Sequence, residues 1–267
     1  MRFLSTRRRS RAAKPIMLLL ALMLVGSVYA VVSPATSSQA DTNASSQVAA
    51  GKAIFEQNCS SCHGLGGAGT TQGPSLAGVG AASVDFQMGT GRMPMARPEA
   101  QAPSKPTKFT DEEIAQVAAY VASLAPGPQV PSSSTYNASG LTAEQLARGG
   151  ELFKTNCSAC HNIEGRGGAL PGGSYAPSLS KTSDKHIYEA MRIGPQQMPV
   201  FSKGVVTDED AREIIGYLNT VRTQPNDGGL ALGGIGPVTE GLWGWIVGIG
   251  GLILVAHWLA RKGARAR

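Results

Sequence analysis

The chain has 267 residues, 42% of them hydrophobic, with four cysteines and a formal charge of +6, a length that leaves room for two small domains and their attachments at about 100–200 residues per domain. Ten of the 24 Lys and Arg residues lie at the two chain ends, which leaves 14 against 18 acidic residues and a charge of −4 for the body. That excludes a nucleic-acid-binding surface, because the basic residues flank apolar runs instead of clustering in a folded patch.

Residues 1–32 begin with a basic segment (Arg2, Arg7, Arg8, Arg9, Arg11, Lys14), followed by the uncharged apolar run Pro15–Val32 of 18 residues. At about 1.5 Å per residue this run makes roughly 27 Å of helix, near the 30 Å or so of a bilayer core. It reads as an N-terminal transmembrane anchor. A cleaved signal peptide is the alternative, with Val28-Tyr29-Ala30 and Ser38-Gln39-Ala40 as processing sites. Either way the basic side stays cytoplasmic and the rest is exported. Residues 33–47, rich in Ser, Ala, Thr and Asn, read as a flexible tether.

The first of two units spans 48–125. Val48–Phe55 opens a helix with Val48, Ala49 and Phe55 inward, running into Asn58-Cys59-Ser60-Ser61-Cys62-His63. Two cysteines three positions apart with a histidine directly after are the attachment motif of a c-type haem: both thiols add to the vinyl groups and the histidine ligates iron. The rival readings are half a zinc site or a dithiol centre. Zinc wants four converging ligands and the other cysteine pair is 98 residues away; a dithiol centre wants a strand-helix-strand setting that the flanks lack.

Past His63, the glycine-rich stretch Gly64–Gly80 is a loop suited to wrapping a flat cofactor. Met93, in Gly91-Arg92-Met93-Pro94, is the candidate distal iron ligand, with Met88 and Met95 near enough to compete. A thioether opposite the histidine closes the iron to outside ligands and favours its ferrous state. Met95–Thr107, rich in Pro and Ala, reads as a solvated spacer, a docking loop being the alternative. Thr110-x-x-Glu113 is a capping box that opens a helix with Ile114, Val117, Ala118, Val121 and Leu124 on one face.

After a Pro/Ser/Gly linker at 126–140, the second unit spans 141–224. Gly51, Phe55, Asn58, Cys59, Cys62 and His63 recur 98 positions on as Gly149, Phe153, Asn156, Cys157, Cys160 and His161. Pro74-Ser75-Leu76 returns as Pro177-Ser178-Leu179, and Met93-Pro94 as Met198-Pro199. A unit of about 80 residues is therefore duplicated in tandem. Thr142-x-x-Gln145 caps the leading helix, and the unit closes with a helix from Asp208 to about Val221, with Ile214, Ile215, Leu218 and Val221 inward. His186 reads as a surface residue, a second haem ligand being the alternative.

Residues 225–241 form a glycine-rich, flexible tether. The uncharged span 242–260, with Trp243, Trp245 and Trp258 near its ends, is a transmembrane helix, and 261–267 is its cytoplasmic basic tail. Gly244-x-x-x-Gly248 with Gly251 gives it a smooth face on which another helix could pack. His257 sits near its end at the interface. The fold class is mainly α: two tandem class I cytochrome c domains flanked by N-terminal and C-terminal transmembrane helices, both termini cytoplasmic and the haem domains outside.

This layout, with Thr-Gly-Arg-Met-Pro-Met and Gln-Met-Pro-Val-Phe in the two units, resembles the dihaem cytochrome c subunit of the actinobacterial menaquinol:cytochrome c reductase, the cytochrome bcc complex. The resemblance implies two covalently bound haem c groups, on Cys59 and Cys62 and on Cys157 and Cys160. It implies His63 and His161 as proximal ligands, Met93 and Met198 as distal ligands, and the carbonyls of Pro74 and Pro177 orienting the histidines. Cytochrome b, a Rieske iron-sulfur subunit and a terminal cytochrome c oxidase are the implied partners. The chain would then be the electron-transfer subunit of a quinol-oxidising translocase in aerobic respiration, with no substrate-converting site of its own. The alternatives are the dihaem subunit of another periplasmic dehydrogenase or haem-copper oxidase, or a dihaem peroxidase. A peroxidase needs an open distal side, and Met-Pro in both units counts against it.

Overall fold

The structure, a computed structural model, describes residues 13–32, 36–224 and 237–265. The basic segment at Arg2–Arg11 and most of the expected C-terminal tether lie outside the described residues. The chain divides into two compact units, 1–49 and 50–267.

The smaller unit holds helix α1 (Ala13–Val32) and the start of α2 (Thr36–Asn58). The expected tether is thus helical from Thr36 onward. Residues 36–47 contain no Gly or Pro to stop a helix, and extending one from its folded end costs little beside nucleating one. Lys14–Tyr29 is a shorter apolar helix. Among the described residues the helix long and apolar enough to cross a membrane is Gly241–Gly263, 23 residues with mean hydropathy 1.7.

In the larger unit, α2 ends at the first cysteine motif. Short helix α3 (Ser60–His63), α4 (Gly80–Gly89) and α5 (Asp111–Leu124) complete the first repeat. The Thr110 capping box forms: Thr110 N–H donates to Glu113 Oε2 (2.8 Å) and Glu113 N–H to Thr110 Oγ1 (3.3 Å). With Asp111 and Glu112 it puts negative charge on the positive end of the helix. Ile114, Val117, Ala118 and Val121 are buried as the periodicity predicts, while Leu124 is half-buried. Where α2 crosses α5, a Cβ on Gly51 would overlap the Gln116 carbonyl and lie 2.9 Å from Val117 N, so only glycine permits this approach. Phe55 fills the crossing and is fully buried, its ring centroid 5.2 Å from that of Tyr120. Ala49, expected inward, is exposed, because Gly51 and Phe55 set which face turns to α5.

The second repeat uses the same devices. Short helix α6 (Ser133–Tyr136) precedes α7 (Ala143–Asn156) and short helix α8 (Ser158–His161); α9 (Asp184–Ile193) and α10 (Asp208–Thr223) follow. Between α8 and α9, β1 (Gly168–Ala169) pairs antiparallel with β2 (Tyr175–Ala176), Ala169 opposite Tyr175. Gly149 mirrors Gly51: a Cβ there would overlap the Glu213 carbonyl on α10 and lie 3.0 Å from Ile214 N. The core gathers Phe153, Ile187, Tyr188, Met191, Val206, Ala211, Ile214, Ile215 and Leu218. Val221 stays half-buried. Arg148 forks onto Asp210 (2.6 Å) and Glu213, tying α7 to α10.

The linker between the repeats and the stretch expected to be a solvated spacer are both docked. The linker 126–140 packs on both repeats: Ala82 N–H donates to the Pro128 carbonyl (3.1 Å), Tyr136 and Ala138 pack on the second core, and Arg212 Nε donates to the Asn137 carbonyl (2.9 Å). Its prolines leave little backbone freedom to lose on docking. The stretch 95–107 is a strap and not a spacer. The Gln101 side-chain amide exchanges hydrogen bonds with the Tyr175 backbone (2.5 and 3.1 Å), completing the free edge of β2, and Ala102 N–H donates to Gln196 Oε1 (3.1 Å). Ala102 is accordingly buried. His186, expected at the surface, is 16% exposed. It lies edge-on to Phe86 of α4, ring centroids 6.0 Å apart, because α9 packs against α4 across the repeats.

At the C-terminus, α11 (Pro237–Trp243), a π-helical turn Gly244–Ile249 and α12 (Gly250–Arg265) follow one another. Residues 237–241 of the expected tether are therefore helical. The apolar side chains of this stretch, from Leu242 to Leu259, are exposed.

Candidate functional site

In each repeat the leading helix hands over to the motif at its first cysteine, which ends one helix and caps the next. Cys59 N–H donates to the Phe55 carbonyl (2.8 Å) and His63 N–H to the Cys59 carbonyl (2.9 Å); Cys157 to Phe153 (2.8 Å) and His161 to Cys157 (2.9 Å) repeat the pattern. The cysteine pair and the histidine thus ride on one helical turn. None of the four cysteines is in a disulfide. Burial first, and then the neighbouring Cys62 and Cys160, push Cys59 and Cys157 up to about 11. A dithiol redox centre needs a thiolate with a depressed value, the opposite arrangement.

The histidines are held from behind. His63 Nδ1–H donates to the Pro74 carbonyl (2.8 Å) and His161 Nδ1–H to the Pro177 carbonyl (3.1 Å). That fixes the tautomer and leaves each Nε2 lone pair free to bind a metal. Burial lowers the His161 pKa against the opposing Pro177 hydrogen bond, which keeps the ring neutral as a ligand must be. Tight glycine turns bring the prolines round: a Cβ on Gly69 would lie 2.6 Å from Ser75 N, and a Cβ on Gly167 2.9 Å from Ser178 N.

In the second repeat Cys157, Cys160, His161, Pro177 and Met198 line one cavity of about 600 Å³, inside the range of about 300–1,000 Å³ typical of ligand sites. Met198 sits on a loop fixed from both sides. Gly194 ends α9 in a left-handed turn with φ 58°, and Arg192 donates to the carbonyls of Phe201 (2.9 Å) and Val206 (2.7 Å) and to Asp208 (2.8 Å). In the first repeat Met93 is half-buried in the loop after α4, its N–H on the Gln87 carbonyl (2.9 Å). Of its competitors, Met88 belongs to the buried core, and Met95 is half-buried like Met93.

Sequence reasoning missed that the cavity of the second repeat is walled partly by the first. Phe86, Gly89, Arg92 and the strap from Ala100 to Thr107 face it, together with His186. The signal was Arg92, a lone cation beside Met93 where the second repeat has Gln197. Asp85, His186 and Glu189 bring three ligand-type atoms within 4.8 Å of one another. Lys185 already neutralises Asp85 at 2.7 Å, however, and burial, with Asp85 beside it, pushes Glu189 up to about 9, so it keeps its proton.

Residues 48–125 match the family described as cytochrome c, and residues 144–218 that described as cytochrome C oxidase, cbb3-type, subunit III. A cytochrome bc1 complex cytochrome c subunit from Mycobacterium tuberculosis is 42% identical over 261 residues, covering 96% of this chain and 93% of the relative. The chain belongs to that family. A cytochrome bc1 complex cytochrome c subunit from Corynebacterium diphtheriae is 38% identical over 275 residues, covering 96% of each chain. The cbb3-type cytochrome c oxidase subunit FixP of Bradyrhizobium diazoefficiens is 31% identical over 142 residues, 49% of this chain and 44% of that one.

Membership of the cytochrome bc1 complex cytochrome c subunits makes this a respiratory electron-transfer cytochrome, and its two cytochrome c domains imply covalently bound haem c. The residues present fit that group. Two cysteines outside any disulfide and a histidine with its outer nitrogen already occupied share one turn in each repeat, and in the second repeat they open onto a cavity of suitable size.

Proposed function

We propose that this chain is a membrane-anchored dihaem relay that takes electrons from a quinol-oxidising cytochrome b and Rieske pair and hands them to a terminal oxidase. The observation that carries the reading is the cavity in which Cys157, Cys160, His161 and Met198 converge, with His161 oriented by Pro177. Haem c, when bound, supplies one-electron chemistry at iron. Cys59, Cys62, Cys157 and Cys160 would attach it, and His63, His161, Met93 and Met198 would hold the iron, so that water and substrates would be kept from it. Pro74 and Pro177 orient the histidines.

The domain limits we propose are 48–125 and 141–224. A haem in each, on one chain, keeps donor and acceptor at a fixed high effective concentration. Gly241–Gly263 provides the C-terminal anchor, its end marked by Lys262 Nζ lying 4.2 Å over the Trp258 ring. α1 is the second anchor, and both termini are cytoplasmic by their positive charge. The match of 144–218 to an oxidase subunit favours a second reading, a subunit of a haem-copper oxidase.

Haem stoichiometry and detergent co-purification separate these readings. We expect two acid-acetone-resistant haem equivalents per chain by pyridine spectrum, with cytochrome b and Rieske subunits co-purifying. Fewer than two equivalents would refute the dihaem relay. Co-purification with a dehydrogenase, or with an oxidase core and no Rieske protein, would refute the assigned partners.

A further inference from the structure

We propose that Arg92, although carried by the first repeat, holds a propionate of the second repeat's haem, an inference that rests on the dihaem reading above. Arg92 lines the same cavity as Cys157, His161 and Met198. Its guanidinium lies 4.9 Å from the Phe86 ring centroid, a flat support that fixes its plane. The side chain is half-buried, so its charge is poorly solvated there.

Among the described residues that charge has the Tyr175 phenol in range but no carboxylate partner. Arg192 has Asp208 at 2.8 Å and Arg222 has Asp184 at 3.7 Å, but among the described residues no carboxylate lies within 4 Å of Arg92. The acids nearby are committed: Asp85 to Lys185 at 2.7 Å, Glu189 to its own proton. A half-buried guanidinium without a counter-charge is costly, and its planar fork of N–H donors matches a carboxylate two bonds at a time. Haem c brings two such carboxylates, and the residues that would hold it open the cavity beside this fork.

The wall bearing Arg92 is fixed in place. Gln101 is bonded to Tyr175 and Ala102 to Gln196 across the repeats, and Ser104 Oγ donates to the Thr90 carbonyl (2.8 Å) beside Arg92. The device runs one way only. Gln197, the counterpart of Arg92, is spent on Ser174 Oγ (3.1 Å). Because Arg92 directly precedes Met93, the segment that closes the first haem also sets the charge at the edge of the second.

The test is spectroelectrochemical titration of the full chain in detergent, with haem content measured first. Fewer than two equivalents in wild type would defeat the dihaem reading and not this proposal in particular. Removing a cation beside a haem favours the ferric form. Arg92→Gln should therefore raise the second haem's ferric/ferrous ratio about tenfold at fixed poise, about 59 mV downward for one electron, and Arg92→Lys should recover most of it. Met198→His moves the second haem to a separate low-potential transition, so the same shift must appear there. Resonance Raman on Arg92→Lys, which keeps the charge but loses the fork, should show a moved propionate bending band even if Arg92→Gln does not fold. An unmoved second transition, a shift confined to the first haem, or an unchanged propionate band in Arg92→Lys overturns the proposal. So does a wild-type potential that follows buffer phosphate, which would give the fork to a free anion.

Discussion

Gly149→Ala tests whether the crossing of α7 and α10 is as close as described. Alanine in a helix interior is worth about 1 kcal/mol over glycine, so on propensity alone the variant would be stabilised. At the crossing the new Cβ would overlap the Glu213 carbonyl and sit 3.0 Å from Ile214 N. Both obstacles are backbone, so no rotamer change relieves them and the helices must part. Overpacking costs roughly 1–3 kcal/mol and more where nothing yields, and parting also stretches the Arg148–Glu213 contact. Taking the upper end against the propensity gain leaves about 2 kcal/mol of destabilisation, or roughly 8–16 °C in the melting midpoint of an 80-residue domain. Thermal unfolding of the haem-loaded chain by far-UV circular dichroism reads this directly. Gly150→Ala is the control: its Cβ would meet only the Tyr217 ring, at 3.1 Å, and a ring can shift. A Gly149→Ala midpoint equal to or above wild type would refute the crossing.

Glu189→Gln should stabilise the protein at pH 8 and do little at pH 5. The folded value of about 9 lies above the ordinary 4.5, so wild type loses stability as pH rises between them while the glutamine variant does not; urea melts at the two pH values check this. Asp210 behaves in the opposite sense. Burial raises its pKa, but the Thr207 and Arg148 hydrogen bonds outweigh that and hold it below 3.8, so its contribution is present above that value and is lost as pH falls through the folded value. Asp210→Asn should flatten the acid limb of an unfolding-versus-pH curve. Met93→His should lower the potential of one haem and leave the other within error, since a nitrogen in place of the thioether stabilises ferric iron; an unchanged redox titration would mean that another residue holds that iron.

Local signals were readable where the interaction partner is a few residues away. The capping boxes at Thr110 and Thr142, the cysteine–histidine turns and the buried face of α5 all depend on spacings of two to four residues, and all formed. What stayed hidden depends on distant partners. Nothing near Gln101 announces that its amide will complete an edge strand 74 residues on. His186 owes its burial to Phe86, a full unit away. Helix α4 was missed for a different reason: it buries Ala81, Ala82, Val84, Phe86 and Met88, on more than one side, so no polar face marks its period. The misread tether at 36–47 and spacer at 95–107 share one cause. Composition rich in Ser, Ala or Pro describes what a segment costs to order, not whether a neighbouring surface offers it hydrogen bonds.

The strap at 95–107 decides where this polypeptide tolerates a chimeric junction. A seam placed in the 126–140 segment would look natural on the sequence, yet it would take the downstream haem module away from Arg92, Gln101 and Ala102, leaving that cavity open on one flank. Hybrids between relatives should instead transplant 86–107 together with the downstream module, so that each cofactor keeps the wall it was selected with.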